Sequence, residues 1–311
     1  MEDRLKSHIL SSYYAPRGHD RMYALGMQIA QLYLSPHDKL IGFIGDAGSG
    51  KSALIRGMFP GLDLTNDDDG VYVRPLPLLD GRRGLFSPHT YHLDIRFENA
   101  FTQMTELAEA ITEAVEDGKR VIVEHFDLVY PLLPMKSDLL IGVGEQVFIT
   151  RPDLFGPDPR DIRAAVYKSL PYRLMAHTAE DLCEFGLPPE DLARCGHDDT
   201  RHGFVISFPE NPPSIDIAEL EAKVQELIRR NLPVDYLDEH HVSIGGSSHP
   251  CTGPRIHVST TGQIQNFHLL DYYLHDRLAR RYLLVGCVGE DAEENLQKLV
   301  HHQQTAWDGA V

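Results

Sequence analysis

Two kinds of apolar run alternate along the first half of the chain. Residues 39–44 (KLIGFI), 119–124 (KRVIVE), 139–143 (LLIGV) and 146–149 (QVFI) are short and nearly unbroken, the pattern of strands buried on both faces. Between and around them the spacing lengthens to three or four. Met22, Leu25, Ile29 and Leu32 mark a helix ending near Ser35-Pro36, and a further helical run opens at Ser52. Leu107, Ile111 and Val115 mark a helix over 100–117, and residues 160–170 another. Strands alternating with helices predict an α/β unit with a mostly parallel sheet over 39–170, preceded by an N-terminal helical extension, 1–38.

From about residue 171 the texture changes. Helical spacing is expected from Met175, over 215–230 and over 291–301. Short strands are expected at 204–208, 242–244, 255–259, 263–267 and 282–286, between Gly- and Pro-rich turns. This is an α+β pattern and predicts a second domain, 171–311.

The composition supports a folded chain: 42% of the 311 residues are hydrophobic and 24% charged. Asp plus Glu number 46 against 29 Lys plus Arg, so a body-wide attraction for nucleic acid or an anionic membrane is not expected. Four cysteines are too few for a disulfide scaffold, the first residues lack the apolar core of a signal peptide, and no apolar stretch is long enough to span a membrane. These readings lead to the expectation of a cytoplasmic protein.

The sharpest motif is Gly45-Asp46-Ala47-Gly48-Ser49-Gly50-Lys51-Ser52, which fits G-x-x-x-x-G-K-[ST] and stands between an apolar strand and a helix. Glycines let such a loop curl so that backbone N–H groups face phosphate oxygens, and the helix start adds partial positive charge. Lys51 would reach the outer phosphates and Ser52 would offer its hydroxyl to Mg²⁺, so ATP and Mg²⁺ are the expected cofactors. Glu124, ending the strand 121–123, is the candidate carboxylate at the metal, with His125 and Asp127 as weaker neighbours. Asp94 and the run Asp67-Asp68-Asp69 are candidates to orient an acceptor hydroxyl or a water.

The loop 44–52, Tyr91-His92-Leu93-Asp94 and Val121-Ile122-Val123-Glu124 resemble the layout of uridine-kinase-like P-loop kinases over about 38–168. That resemblance implies an α/β P-loop NTPase, an activating aspartate in the region of Asp67–Asp69, and phosphate-contacting lid arginines, for which Arg151, Arg160 and Arg163 are placed. No Asn-Lys-x-Asp segment that would read guanine is present in this half.

Nine of the 17 histidines lie between His177 and His275. His177 and Asp181 are four apart and would share a helix face, and a Gly-Pro turn lies between Cys251 and His257. Imidazole and thiolate together suit a borderline ion such as Zn²⁺, with His177, His241, His249, Cys251 and His257 as candidate ligands. About 171–300 resembles the second additional domain of alanyl- and threonyl-tRNA synthetases and their free-standing editing relatives. In that family His-x-x-x-His and Cys-x-x-x-His hold zinc beside a pocket that hydrolyses mischarged aminoacyl esters. His177 and Cys251 match, whereas Asp181 and Arg255 stand where the family has histidine.

Three functions follow as expectations. The first is an ATP-dependent phosphotransferase or ATPase coupled to a metal-binding, editing-like domain acting with an unidentified small-molecule acceptor or an aminoacyl-tRNA-like ligand. The second is a nucleotide-gated ligand sensor without transfer chemistry. The third is an aminoacyl-tRNA deacylase, which would need a local basic face, for instance from Arg201, Arg229, Arg230, Arg277, Arg280 and Arg281. No G-x-S-x-G, Cys-x-x-Cys or dinucleotide fingerprint offers another chemistry.

Overall fold

The structure is a computed structural model describing residues 10–65, 78 and 89–299. The chain forms two compact units: 1–15 with 19–168, and 16–18 with 169–311.

The first unit contains, in chain order, β1 (Ser11–Tyr14), α1 (His19–Tyr33), β2 (Leu40–Gly45), α2 (Lys51–Met58), β3 (Thr90–Asp94), α3 (Ile95–Glu98), α4 (Met104–Glu116), β4 (Arg120–Glu124), α5 (Phe126–Val129), β5 (Leu139–Val143) and β6 (Gln146–Thr150). Its six strands form one mixed, mostly parallel sheet in the order β1-β6-β5-β2-β4-β3. β3, β4, β2 and β5 run parallel, while β6 and β1 add antiparallel to the β5 edge. Every residue of β2 and β5 is buried, as the unbroken apolar runs require of central strands. Alternation then sorts the side chains. Ile41, Phe43, Ile122 and Ile141 face one core with α1 and α2, and Leu40, Ile44, Val121, Val123 and Leu140 face the other with α4 and α5.

The first 38 residues are therefore more than a helical extension: α1 is there, but β1 closes a sheet edge. Its alternating half-exposed pattern over only four residues is too short to stand out from a loop in the sequence.

α6 (Pro159–Glu184) is a single helix of 26 residues where two were expected. Pro171 lies inside it: the ring removes one backbone donor without ending the helix. Residues through Lys168 belong to the first unit and those from Ser169 to the second.

The second unit continues with α7 (Pro189–Leu192), β7 (Gly196–Thr200), β8 (Gly203–Pro209), α8 (Ile217–Arg229), β9 (Val234–Asp238), β10 (His241–Ile244), β11 (Ser247–Pro250), β12 (His268–Leu269), β13 (Leu274–Asp276) and β14 (Arg281–Cys287). Residues 292–299 are helical. One antiparallel sheet runs β12-β14-β8-β7 with β13 also on β14, and a smaller one runs β11-β10-β9. Met175, Ala179, Leu182 and Cys183 of α6 and Ile217, Leu220 and Val224 of α8 pack into their shared core.

The expected strands at 255–259 and 263–267 are not formed. Ile256, Val258, Ile264 and Phe267 are buried, which produced the strand-like alternation, but their backbone is held by turns and side chains instead of a ladder. Val258 N–H donates to Thr178 Oγ1 at 3.1 Å and Ser259 N–H to Gln263 Oε1 at 2.9 Å.

Candidate functional site

In the first unit, the polar groups singled out by the glycine-rich motif converge at the C-terminal ends of β2, β3 and β4. Gly45 ends β2, and the chain turns through Ala47, Gly48 and Ser49 to Gly50, which precedes α2. Gly48 and Gly50 have φ of 75° and 94°, a left-handed conformation that a side chain would strain. The first N–H groups of α2 have no acceptor within the helix and face out of its start. Lys51 is 4% exposed, and its Nζ donates to the Asp46 carbonyl at 2.8 Å and lies 3.5 Å from Glu124 Oε2.

Glu124 is the hub. β4 lies next to β2 in the sheet, so the end of β4 stands beside the start of the loop. Ser52 Oγ–H donates to Glu124 Oε1 at 3.2 Å. His92 Nδ1 accepts the Thr65 N–H at 3.1 Å, which leaves the proton on Nε2 to be donated to Glu124 Oε1, also at 3.2 Å. Burial pushes the Glu124 carboxyl up, but the His92 hydrogen bond and the Lys51 charge outweigh it and hold it down at about 2. Glu124 is thus a fixed negative charge at neutral pH and not a proton acceptor.

Asp94 pairs in register with Glu124 across β3 and β4, so the two carboxylates stand side by side. Asp94 also caps α3, accepting the Phe97 N–H at 3.1 Å. Asp94, Glu124 and His125 each bring a ligand atom within 4.8 Å of the other two, so together they can hold a cation. Burial and the Lys51 charge push the His125 imidazole down to about 4, which keeps it neutral and able to ligate.

His92 and Arg96 were not singled out as site residues from the sequence. Arg96 donates to Asp46 Oδ1 at 3.0 Å and to the Tyr167 hydroxyl at 3.2 Å, bracing the loop. Its signal, a basic residue two positions after a strand-end aspartate, is too common to read alone. Of the three lid candidates, Arg151 is engaged elsewhere: its guanidinium grips both oxygens of fully buried Asp38, at 2.7 and 2.8 Å. Arg163 pairs with Asp127 at 2.9 Å and Arg160 with Asp158 at 3.2 Å. Asp67, with Asp68 and Asp69, lies outside the described residues.

In the second unit, His177, Glu180, Asp181 and Glu184 fall at i, i+3, i+4 and i+7 of α6, one helix face, and all are buried. Asp181, Cys251 and His257 come within 4.8 Å of one another. His257 Nε2 lies 2.9 Å from Asp181 Oδ2 and 3.9 Å from Cys251 Sγ. His177 packs edge-on to His257, with ring centres 6.2 Å apart, and its buried Nδ1 makes no hydrogen bond. His249 belongs to a neighbouring group, 3.0 Å from Glu184 Oε2. His241 pairs with Asp238 at 2.9 Å on the half-exposed start of β10 and joins none of these groups.

Arg17, from the three-residue stretch 16–18, enters the cluster. It is 3% exposed, donates to Glu180 Oε2 at 2.6 Å and to Cys251 Sγ at 3.2 Å, and also bonds Asp181 Oδ1. Burial opposes charge on Asp181, but Arg17 and the His257 hydrogen bond hold its carboxyl well below the usual carboxylate range. Burial would lower the His257 imidazole, yet its bonds to Asp181 and Cys251 raise it to about 9. The donors implied by the zinc-domain resemblance therefore gather, but a guanidinium already satisfies two of them. Asp181, Cys251 and His257 could together hold a metal ion, with Arg17 bonded to two of the three.

Among the arginines considered for a basic face, Arg229 pairs with Glu226 at 2.7 Å and Arg281 with Asp198 at 2.6 Å. No helix among the described residues is long and apolar enough to cross a membrane.

Comparison with known proteins adds no family: no family model matches the chain, and no curated protein matches it.

Proposed function

We propose that the first unit binds ATP with Mg²⁺ through the loop 45–52 and transfers the terminal phosphoryl group to water or to a hydroxyl acceptor. The observation that carries this reading is the convergence on Glu124: Lys51 and Ser52 of the motif each lie within 3.5 Å of an oxygen of this strand-end carboxylate. The order β3-β4-β2 in the sheet supports it, because it sets the carboxylate strand beside the loop strand.

Each residue then has a distinct task. The N–H groups opening α2 donate to phosphate oxygens, with the helix dipole in their favour. Lys51 exchanges its bond to the Asp46 carbonyl for the outer phosphates. Ser52 and ionised Glu124 face the cation, and His92 keeps Glu124 from rotating. Mg²⁺, when bound, would neutralise the charge spread over the outer phosphates. Asp94, next to Glu124, orients the attacking hydroxyl or water. The low-lying Glu124 carboxyl rules it out as the base at neutral pH, which separates holding the cation from receiving the proton.

The test is calorimetric titration of the full chain with ATP and Mg²⁺, with product formation followed by mass spectrometry against a pool of hydroxyl-bearing metabolites. Lys51→Ala should cut turnover by about 10²–10³-fold, the usual loss for one preorganised donor at a developing charge. ATP binding without turnover in any pool would favour the nucleotide-gated sensor. Absence of ATP binding by the wild-type chain overturns both.

A further inference from the structure

A second group of buried carboxylates in the second unit gathers around one histidine. Glu180 and Glu184 are one turn apart on the buried face of α6, with side chains 4% and 6% exposed. Each turns one oxygen away: Glu180 Oε2 to Arg17 at 2.6 Å, and Glu184 Oε2 to His249 Nε2 at 3.0 Å. Their remaining oxygens converge on His197 of β7, whose Nδ1 is 2.9 Å from Glu180 Oε1 and 3.5 Å from Glu184 Oε1. Glu184 Oε1 is buried and makes no hydrogen bond. A buried carboxylate oxygen without a donor is costly, and it is aimed at the point the other two ligand atoms share.

We propose that Glu180, Glu184 and His197 form a binding site for a divalent transition-metal ion, with His249 orienting Glu184 from behind. The three ligand atoms lie within 4.8 Å of one another. The donor set is two carboxylates and one imidazole with no thiolate, which suits zinc, manganese, iron or cobalt, and excludes the soft-ligand sites that Cys251 would build. Three protein ligands leave a coordination position open, as in sites that activate water, and His197 is the side on which solvent reaches the cluster: its side chain is 27% exposed.

Chelator-treated, untagged full-length protein titrated with Zn²⁺ alone and with Co²⁺ alone tests this. One equivalent should bind, and the Co²⁺ complex should lack the intense thiolate-to-metal charge-transfer band. Glu184→Gln and His197→Asn should each weaken binding by more than about 100-fold, beyond the roughly 10–100-fold that loss of an outer-sphere partner costs, while Cys251→Ser leaves it unchanged. His197→Asn, on the partly exposed ligand, serves if Glu184→Gln fails to fold, with circular dichroism as the check on both. No stoichiometric binding by the wild type overturns the proposal. So does a thiolate band, or binding that is lost in Cys251→Ser and kept in His197→Asn, either of which moves the ion to the Cys251 side.

Discussion

The two units each bury a charged cluster, and they solve the same electrostatic problem by different means. In the first, the cation is Lys51, a single point charge on a loop whose backbone also faces outward, set 3.5 Å from the carboxylate it balances. That pair is loose enough to be rearranged by an arriving anion. In the second, the cation is Arg17, whose planar fork reaches Glu180, Asp181 and Cys251 at once from a completely buried position. A fork bonded to three buried partners is a structural tie. The contrast is between a lysine with one carboxylate neighbour at 3.5 Å and an arginine bonded to three buried partners.

The largest expected effect tests the structural half of that contrast. Arg17→Met should destabilise the second unit by about 3–5 kcal/mol, because it strands buried carboxylates without their counter-charge. Denaturant unfolding followed by a second-unit probe measures it, and a loss under about 1 kcal/mol would show that the tie is not what holds these carboxylates.

Acid sharpens the other half. The Glu124 carboxyl is held at about 2, below its ordinary value near 4.5, so its contribution to stability is complete above the ordinary value and is lost as the pH falls from there toward 2. The contribution is on the order of 3 kcal/mol for a shift of this size. Glu124→Gln, which keeps the shape and removes the charge, should flatten the stability-against-pH curve of the first unit across that window; an unchanged acid limb would mean that other carboxylates set it.

The smallest effect concerns His92, which bonds Glu124 and Thr65. His92→Asn removes the hydrogen bond to Glu124 and should lower ATP turnover by about tenfold, equivalent to about 1.4 kcal/mol, with ATP affinity little changed. Equal losses in affinity and turnover would place His92 in binding and not in positioning.

The same contrast explains what could be read without coordinates. The loop 45–52 and Glu124 are legible because the pattern is local: eight consecutive residues spell the motif, and the carboxylate ends an apolar run that forms a buried strand. Parallel register then delivers Asp94 beside Glu124. His92 was hidden because it looks like one more strand residue, and only pairing shows which way it faces. The second cluster is assembled across long separations. Arg17 meets Asp181 from 164 positions away and Cys251 from 234. No spacing rule reaches that far, so the histidines and Cys251 stood out by type while the arginine among them did not. His177 and Asp181 share a face as their spacing required, and Cys251 and His257 do approach across the Gly-Pro turn. The strand expectation at 255–259 failed for a related reason: burial of alternate residues is visible in sequence, but the partner that takes the backbone hydrogen bond is not.

The assignment of residues 16–18 to the second unit has a consequence for how this chain can be divided. A gene fragment opening at 169 would encode every sheet of the second unit yet omit Arg17, the guanidinium that ties Glu180, Asp181 and Cys251. The halves are therefore not interchangeable cassettes. Recombination or expression of the C-terminal half alone would need those three N-terminal codons carried along, and a chain shortened past residue 17 would damage the part of the protein farthest from the cut in sequence.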